Sequence, residues 1–582
     1  MSERSDLERI VLKHALINAL RHGGKAQPGA VISKVLGERP DLKARAKEIT
    51  GIVAEVINKV NSMTKQQQEE MLRTEFPESK IEQERREEEK KLPPLPDVER
   101  FEGVTTRFAP NPDFVIHLGN ARPAILSHEY ARIYKGRFIL RFEDTDPRIK
   151  TPIVDAYSQI REDLTWLGIK WDEEYIQSLR LPIYYKIAKD LILNGGAFVD
   201  DTTKENYEEM LSRGEIHPNR NKLPEYNLDL FEKMLEGHYG EGEAVLRVKT
   251  DLGYTDKSLV DWVAFRIIDT DKYPHPMVGS KFIVWPTYNF ASAVDDHLMG
   301  VTHIIRGKEH LQNTMKQKHL YEHMGWRQPV AIHLGRLRLE EFIMSKSQIK
   351  KILKESAGAY SGPNDPRFGT IMGLRERGIT AEAIRNVILT VGAKQTDASI
   401  SFTNLAAENR KIIDPTSPRL IFVEDPVELV VDNGNGVCLE AKIPYHPEKT
   451  ELGSRQFNVC TGDRVMISRA DYEQALSEKG GEVRLMELGN YIIEGGKFRL
   501  LSRDLLYARE KGLSIVQWLK KDGSKIAILS VPLGESIVIK GGYIEDGGKL
   551  QDLLGKSVQL IRVGFAVLKS AIPFASLVFS HE

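Results

Sequence analysis

Arg107-Phe108-Ala109-Pro110-Asn111-Pro112-Asp113-Phe114-Val115-Ile116-His117-Leu118-Gly119-Asn120 is the stretch around which the chain is organised. It opens as a short strand, Thr105 to Phe108. Pro110 and Pro112 then forbid a continuing ladder. His-Leu-Gly-Asn leads directly into Ala121-Arg122-Pro123-Ala124-Ile125-Leu126, which reads as a helix. A strand, a Pro-punctuated loop and a helix N-terminus together make a seat for an anion. Gly119 lets a flat ring approach the backbone, and His117 can donate to a phosphate oxygen. Taken alone, a His-x-Gly at a helix start is more often structural.

A second stretch, Phe342-Ile343-Met344-Ser345-Lys346-Ser347, changes that balance. It is a compact loop with one cation and two hydroxyls, and by itself it would pass for a solvated turn. In this order the two stretches resemble the His-Ile-Gly-His and Lys-Met-Ser-Lys-Ser signatures of class I aminoacyl-tRNA synthetases. The surroundings, Arg-Phe-Ala-Pro-Asn-Pro (107 to 112) and Phe-Glu-Asp-Thr-Asp-Pro-Arg (142 to 148), narrow the resemblance to glutamyl-tRNA synthetase of the archaeal type. Signature-like stretches run from about Arg107 to Val430, with weaker similarity beyond. Two departures stand out. Asn120 occupies the place of the second His and Ile343 that of the first Lys, leaving Lys346 to carry the cationic role alone.

The resemblance implies ATP-dependent ligation of L-glutamate to tRNA-Glu through glutamyl-adenylate, with AMP and pyrophosphate released. tRNA-Gln is a second candidate acceptor. No protein nucleophile is needed, so catalysis rests on positioning and on stabilising phosphoryl charge. His117 and Lys346 are the expected catalytic pair. With Gly119, Asn120, Met344, Ser345 and Ser347 they form the expected ATP site. Mg²⁺ is expected to accompany ATP, held by phosphates rather than by a protein-only site. Glutamate brings two carboxylates and an ammonium. Arg107 and Arg306 are the candidate cations, and Glu143 is the candidate ammonium partner. Ala109, Asn111, Tyr288 and Ser292 are expected to add neutral contacts.

Arg306 ends the strand Thr302-His-Ile-Ile-Arg306, and Glu143 follows the strand Arg137-Phe-Ile-Leu-Arg-Phe142. Both therefore fall at the strand ends where open α/β sheets bind ligands. Glutaminyl relatives carry a small neutral residue in place of Arg306, which favours glutamate over glutamine as the substrate.

Bulk properties fit this reading. The 582 residues should form several domains. Hydrophobic content of 41% and charged content of 28% are those of a globular protein. The net charge of −1, from 82 basic and 83 acidic residues, hides any basic patch for RNA. Cys438 and Cys460 are far apart, so neither a zinc site nor a disulfide is expected, which suits a reducing cytoplasm. No apolar run is long enough for a membrane span, and the charged N-terminus lacks a signal-peptide core.

In order, residues 1–100 read as a helical N-terminal appendage and linker. Leu7, Ile10, Val11, Ile17 and Leu20 share a face, which includes His14 and is widened by Leu12 and Leu16, and Ile49, Val53, Val56 and Val60 line another helix. His22-Gly23-Gly24 reads as a turn, Asp41 as a cap, and Glu82 to Lys91 as a solvated helix before the stiff Leu92-to-Asp97 linker. Residues 101–195 read as the first half of a Rossmann-like catalytic domain and 196–284 as an insertion that resembles acceptor-end-binding domains. Residues 285–350 should form the catalytic second half and 351–412 a helical connecting domain. The short β runs of 413–582, including Leu429-Val431, Asn490-Ile493 and Ile526-Ser530, suggest barrels. The resemblance makes these anticodon-binding, with Arg419 a candidate tRNA contact, and favours a monomer. A glutaminyl-tRNA synthetase or a non-catalytic tRNA-binding paralogue is the alternative. The latter predicts damaged motifs, whereas His117, Gly119, Ser345 and Lys346 are all present.

Overall fold

The computed structural model describes residues 3–21, 24–39, 46–76, 92–356, 358–547 and 549–582. The expected His22-Gly23 turn, Asp41 cap and 82–91 helix lie outside the described residues. The chain divides into two compact units, Met1–Leu92 and Pro93–Glu582.

The first unit is helical: Glu3–Arg21, Pro28–Glu38, Ala46–Asn61 and Lys65–Glu75. Its core gathers Val11, Leu16, Val31, Val35, Val53 and Val60. These residues come from the apolar stripes that the 3.6-residue period marks. Thr64 starts the fourth helix with a reciprocal capping box to Gln67. His14 is half-buried and sits 2.6 Å from Glu38, a structural pairing.

The second unit begins with the proline-rich segment read as a linker, which is bound to this unit. Tyr130 donates to Pro93 O (2.9 Å), the Leu95 N–H donates to the Tyr134 hydroxyl (2.9 Å), and His303 Nε2 lies 2.8 Å from Pro96 O. The catalytic sheet consists of β1 (Thr105–Phe108), β2 (Arg137–Phe142), β3 (Glu173–Ile176), β8 (His303–Gly307) and β9 (Val330–Leu334). Its order is β3-β2-β1-β8-β9 and every pairing is parallel. Strand β1 is buried along its whole length, as a central parallel strand must be. The chain winds outward from β1 to β3 and later outward from β8 to β9. The order therefore reverses between β1 and β8, which is the topological switch point.

Strands β4 (Ala197–Asp200), β5 (Val245–Val248), β6 (Val263–Ile267) and β7 (Val284–Pro286) form a separate antiparallel sheet. The short apolar run Phe282-Trp285 leads into β7 and so belongs to this sheet. A short apolar run carries no information about which sheet it joins. Trp285 is fully buried in this insertion's core.

Residues after 415 form two seven-stranded sheets and a two-stranded ribbon. Each large sheet has, as its two outer strands, two pieces of one stretch of chain. In the C-terminal sheet these are Arg419–Leu420 and Phe422–Glu424. In the other they are Ile515–Val516 and Leu519–Lys520. A single stretch that bends at Ile421, or at Gln517-Trp518, pairs in both directions and closes the sheet without a free edge. Ile421 and Trp518 are both fully buried at these bends. The Gln517 amide reaches the other sheet, donating to Phe422 O at 3.1 Å.

Cys438 and Cys460 form a disulfide, which corrects the expectation of none. They are 22 residues apart in sequence but stand directly opposite on the strands Cys438–Pro444 and Ser454–Cys460. Cross-strand pairing supplies the proximity that spacing alone conceals.

Asp163, on the helix Val154–Trp166, is fully buried, and its carboxylate has no hydrogen-bond partner among the described residues. Burial pushes the carboxyl up to about 7, against the pull of Arg375 at 3.9 Å. A carboxyl with a raised folded pKa binds more protons folded than unfolded, so its stabilising share is full below about pH 4 and is lost as pH rises through 7. Asp163→Asn is therefore expected to raise the melting midpoint at pH 8. That gain should shrink as the pH is lowered toward 5, as followed by calorimetry across the pH range.

Candidate active site

Three strand ends converge at the switch point. β1 delivers Arg107 and Ala109, β2 delivers Glu143, and β8 delivers Arg306. Around them opens a cavity of about 970 Å³. Arg107, Ala109, Asn111, Glu143, Tyr288 and Arg306 line it, as do His117, Gly119, Asn120, Met344, Ser345 and Lys346. Its wall carries eight basic side chains (Arg107, Arg122, Lys150, Arg266, Arg306, Arg336, Arg338, Lys346) against three acidic ones (Glu143, Asp146, Glu309). That imbalance suits a polyanionic occupant.

His117 is the N-cap of the helix Leu118–Ile133. The Gly119 N–H donates to its Nδ1 at 3.0 Å, which places the ring proton on Nε2. Burial first, then Lys346, lowers the imidazole pKa to about 4. The ring is therefore a neutral donor at physiological pH. A Cβ on Gly119 would fall 2.8 Å from His117 Cε1, so glycine is required for the ring to lie here.

The second signature stretch reaches the first through residues 368–371. The Gly369 N–H donates to Ile343 O (2.9 Å), the Leu118 N–H to Gly369 O (3.0 Å) and the Ile371 N–H to Ile116 O (3.1 Å). Ser345 caps the helix Lys346–Glu355, and the Lys346 ammonium meets the Asp113 carboxylate. Ser347 pairs with Ser345 at 3.1 Å and is exposed, outside the cavity lining.

The amino-acid end is built on buried charges. Asp296 accepts from Arg107 Nε (3.2 Å) and Arg141 Nη1 (2.8 Å). Burial opposes the Asp296 charge, but the two guanidiniums outweigh it and hold the carboxyl below the usual range. Arg141 also donates to Glu143 (2.9 Å) and to Ser292 Oγ (3.1 Å). Ser292 is thus fully buried on Arg141 and does not line the cavity. Arg306 donates to the Tyr288 hydroxyl (3.0 Å), Thr314 Oγ1 (2.7 Å) and Gln317 Oε1 (2.9 Å). All three partners are neutral, and no carboxylate pairs with Arg306 among the described residues. Neighbouring His310 is held down to about 3 by burial, then by Arg306 and Arg107, so it adds no charge.

Sequence reasoning passed over Arg141, Arg122 and Asp113. Arg141 carried a signal: a cation inside the apolar run of β2 demands buried partners. Arg122 is buried beneath the signature helix and donates to Gly335 O (2.8 Å) and Gly392 O (2.8 Å), fixing those loops. Arg419 is not part of this cavity's lining, and its guanidinium lies 3.6 Å from Asp414. Among the described residues no group of three or more His, Cys, Asp or Glu could hold a metal ion.

A parallel sheet with its ligand cavity at the switch point and two linked signature loops define a nucleotide-activating enzyme of the class I synthetase type. The model of the catalytic domain of class I tRNA synthetases (E and Q) matches residues 103–415, and that of their anti-codon binding domain matches 417–501. The chain is 52% identical over 567 residues to a glutamate–tRNA ligase of Aeropyrum pernix, covering 97% of each. It is 50% identical over 584 residues to one of Hyperthermus butylicus, covering 97% of this chain and 100% of the other. To one of Sulfurisphaera tokodaii it is 48% identical over 581 residues, covering 99% and 100%. The chain belongs to the class I synthetases of the glutamate and glutamine group, and within them to the glutamate–tRNA ligase family.

Arg141→Met strips Glu143 of its clamp and leaves Asp296 with one guanidinium. Removing one member of a buried ion network costs about 3–5 kcal/mol. Denaturant titration should show that loss, and the KM for glutamate should rise more than the KM for ATP.

Proposed function

We propose that the cavity activates L-glutamate with ATP and then passes it to the 3′ end of tRNA-Glu, in two steps through glutamyl-adenylate. The observation that carries this reading is Arg306, a buried guanidinium at the switch point held by three neutral acceptors. Its charge awaits a carboxylate, and the glutamate side chain supplies one. Arg107 is shared with Asp296, and Glu143, aimed by Arg141, receives the substrate ammonium. Ala109, Asn111 and Tyr288 complete that pocket with neutral groups.

The α-carboxylate of glutamate attacks the α-phosphorus of ATP, and pyrophosphate leaves. His117 Nε2–H and the Lys346 ammonium stabilise the charge on the phosphoryl oxygens. Gly119, Asn120, Met344 and Ser345 flank the nucleotide. Mg²⁺ brought in with ATP would supply part of the neutralisation of the phosphate charge, beside His117 and Lys346. A ribose hydroxyl of the terminal adenosine then attacks the activated carbonyl, and AMP departs. The antiparallel β4–β7 domain borders the cavity through Arg266 and Pro286, which suits a role in holding the acceptor end. The closed β-sheets beyond residue 415 would hold the anticodon end, with Arg419 as a candidate contact. A cytoplasmic monomer is part of this proposal.

Glutamine in place of glutamate would leave Arg306 facing a neutral amide, a penalty of roughly 1–3 kcal/mol or more. Charging of tRNA-Glu and tRNA-Gln transcripts with labelled glutamate and, separately, glutamine tests this. The wild type should charge glutamate, and Arg306→Ala should lose about 100-fold or more in kcat/KM for it. Glutamine charging by the wild type would overturn the proposal. The tRNA-Gln lane decides whether that acceptor is used.

A further inference from the structure

Asp113 stands in the turn between the two parts of the first signature stretch, and its carboxylate faces the second. Its N–H donates to Asn111 Oδ1 at 3.1 Å, which fixes the turn and the direction of the side chain. The carboxylate is 13% exposed and meets two ammonium groups. Lys346 donates to Oδ1, and Lys350 Nζ lies 3.2 Å from Oδ2. The two lysines are four residues apart on the helix Lys346–Glu355 and so share a face. Lys346 lines the cavity, whereas Lys350 is not part of its lining.

We propose that Asp113 is a positioning residue that parks Lys346 in the nucleotide-free enzyme and yields it to the triphosphate of ATP, while Lys350 stays on the carboxylate. The proposal rests on the reading of Lys346 as the phosphate-binding cation. If Lys346 were its sole partner, its departure would leave a largely buried carboxylate unpaired beside an arriving polyanion, which is costly. The second lysine removes that cost. Lys346 then exchanges one carboxylate for phosphate oxygens, and Asp113 remains neutralised. The parked contact competes with ATP, so it sets the nucleotide concentration the enzyme needs. It also keeps the loop from wandering when the site is empty.

Asp113→Asn keeps the side-chain shape and removes the competing charge. ATP binding by calorimetry and the KM for ATP in aminoacylation should tighten by roughly 3–10-fold, the equivalent of one modest ion pair. Amide exchange across residues 344–350 should quicken without nucleotide and return to wild-type protection with ATP. Lys350→Met makes Lys346 the sole partner of Asp113 and should raise the KM for ATP by a similar factor. The opposite signs of the two variants distinguish parking from general damage. An Asp113→Asn enzyme whose KM for ATP is unchanged or raised would overturn the proposal, as would two variants that shift it in the same direction. Lys346→Ala separates the two levels of the argument. Wild-type kcat and ATP affinity in that variant would defeat the reading of Lys346 itself. A loss of 100-fold or more in its kcat, beside an unaltered Asp113→Asn, would defeat the clamp alone.

Discussion

β1 and β8 share one register pair, Thr106 with His303, at the N-terminal end of both strands. Thr302 tightens that end further, its N–H and hydroxyl both directed at Thr105 O. β1 and β2, by contrast, pair over four residues, and β8 and β9 over five. The central strands are therefore joined at one end and free of each other at the other, where the ligand cavity lies. Backbone groups at a gap in a sheet must find partners or face an occupied, polar space. The gap thus requires polar, charged surroundings, and those surroundings suit an amino acid with two carboxylates and an ammonium beside a nucleotide.

Charge placed in so buried a position has to be organised before substrate arrives. Asp296 does this for Arg107 and Arg141, and Arg141 does it for Glu143. Arg306 is treated differently. Neutral acceptors fix its direction and leave its charge unspent. That contrast is the electrostatic ground for the recognition role proposed for Arg306. The two signature loops obey a similar economy, since residues 368–371 hydrogen-bond to both and make them one unit. The adjoining Arg367 reaches the C-terminal sheet, donating to Glu535 O (3.0 Å) at the tip of the hairpin Ser524–Glu545. Nucleotide loops and barrel are therefore mechanically continuous.

Much of this was legible in the sequence where one residue type at one position has a single physical use. β1 and β2 were read to the residue, β1 because Pro110 and Pro112 end its ladder and β2 because it is a short run rich in apolar residues. The helical character of 351–412 was legible too, and capping chemistry fixes one of its helix starts, where the Thr380 side chain accepts from the Ala383 N–H. Arg306 at a strand end was visible for the same reason. Contacts between distant stretches were not. Nothing local says that Asp113 meets Lys346, that Asp296 joins Arg107 to Arg141, or that Cys438 opposes Cys460. Ser292 was expected to add a neutral contact to glutamate, and nothing local shows that Arg141 occupies its hydroxyl. Several strands of the closed sheets are two or three residues long, too short to show any period.

The departures in the signatures are intelligible once the electrostatics are known. The cavity wall already carries a surplus of cations, so a charged imidazole would be repelled, and burial with Lys346 keeps His117 neutral. The proposed nucleotide contact calls for a directed donor here, and the Gly119 N–H secures one by occupying Nδ1. Asn120 is exposed at the cavity wall and offers an amide donor without any charge to pay for desolvating. Asparagine in place of a second histidine therefore preserves hydrogen-bonding capacity and adds no charge to the wall. Ile343 in place of the first lysine follows the same logic. Its backbone oxygen is engaged by Gly369 and its side chain packs with Phe114, Val115 and Phe368, so an ammonium there would be buried against apolar groups. Cationic work in the loop thus falls to Lys346, the residue placed within reach of both the cavity and Asp113.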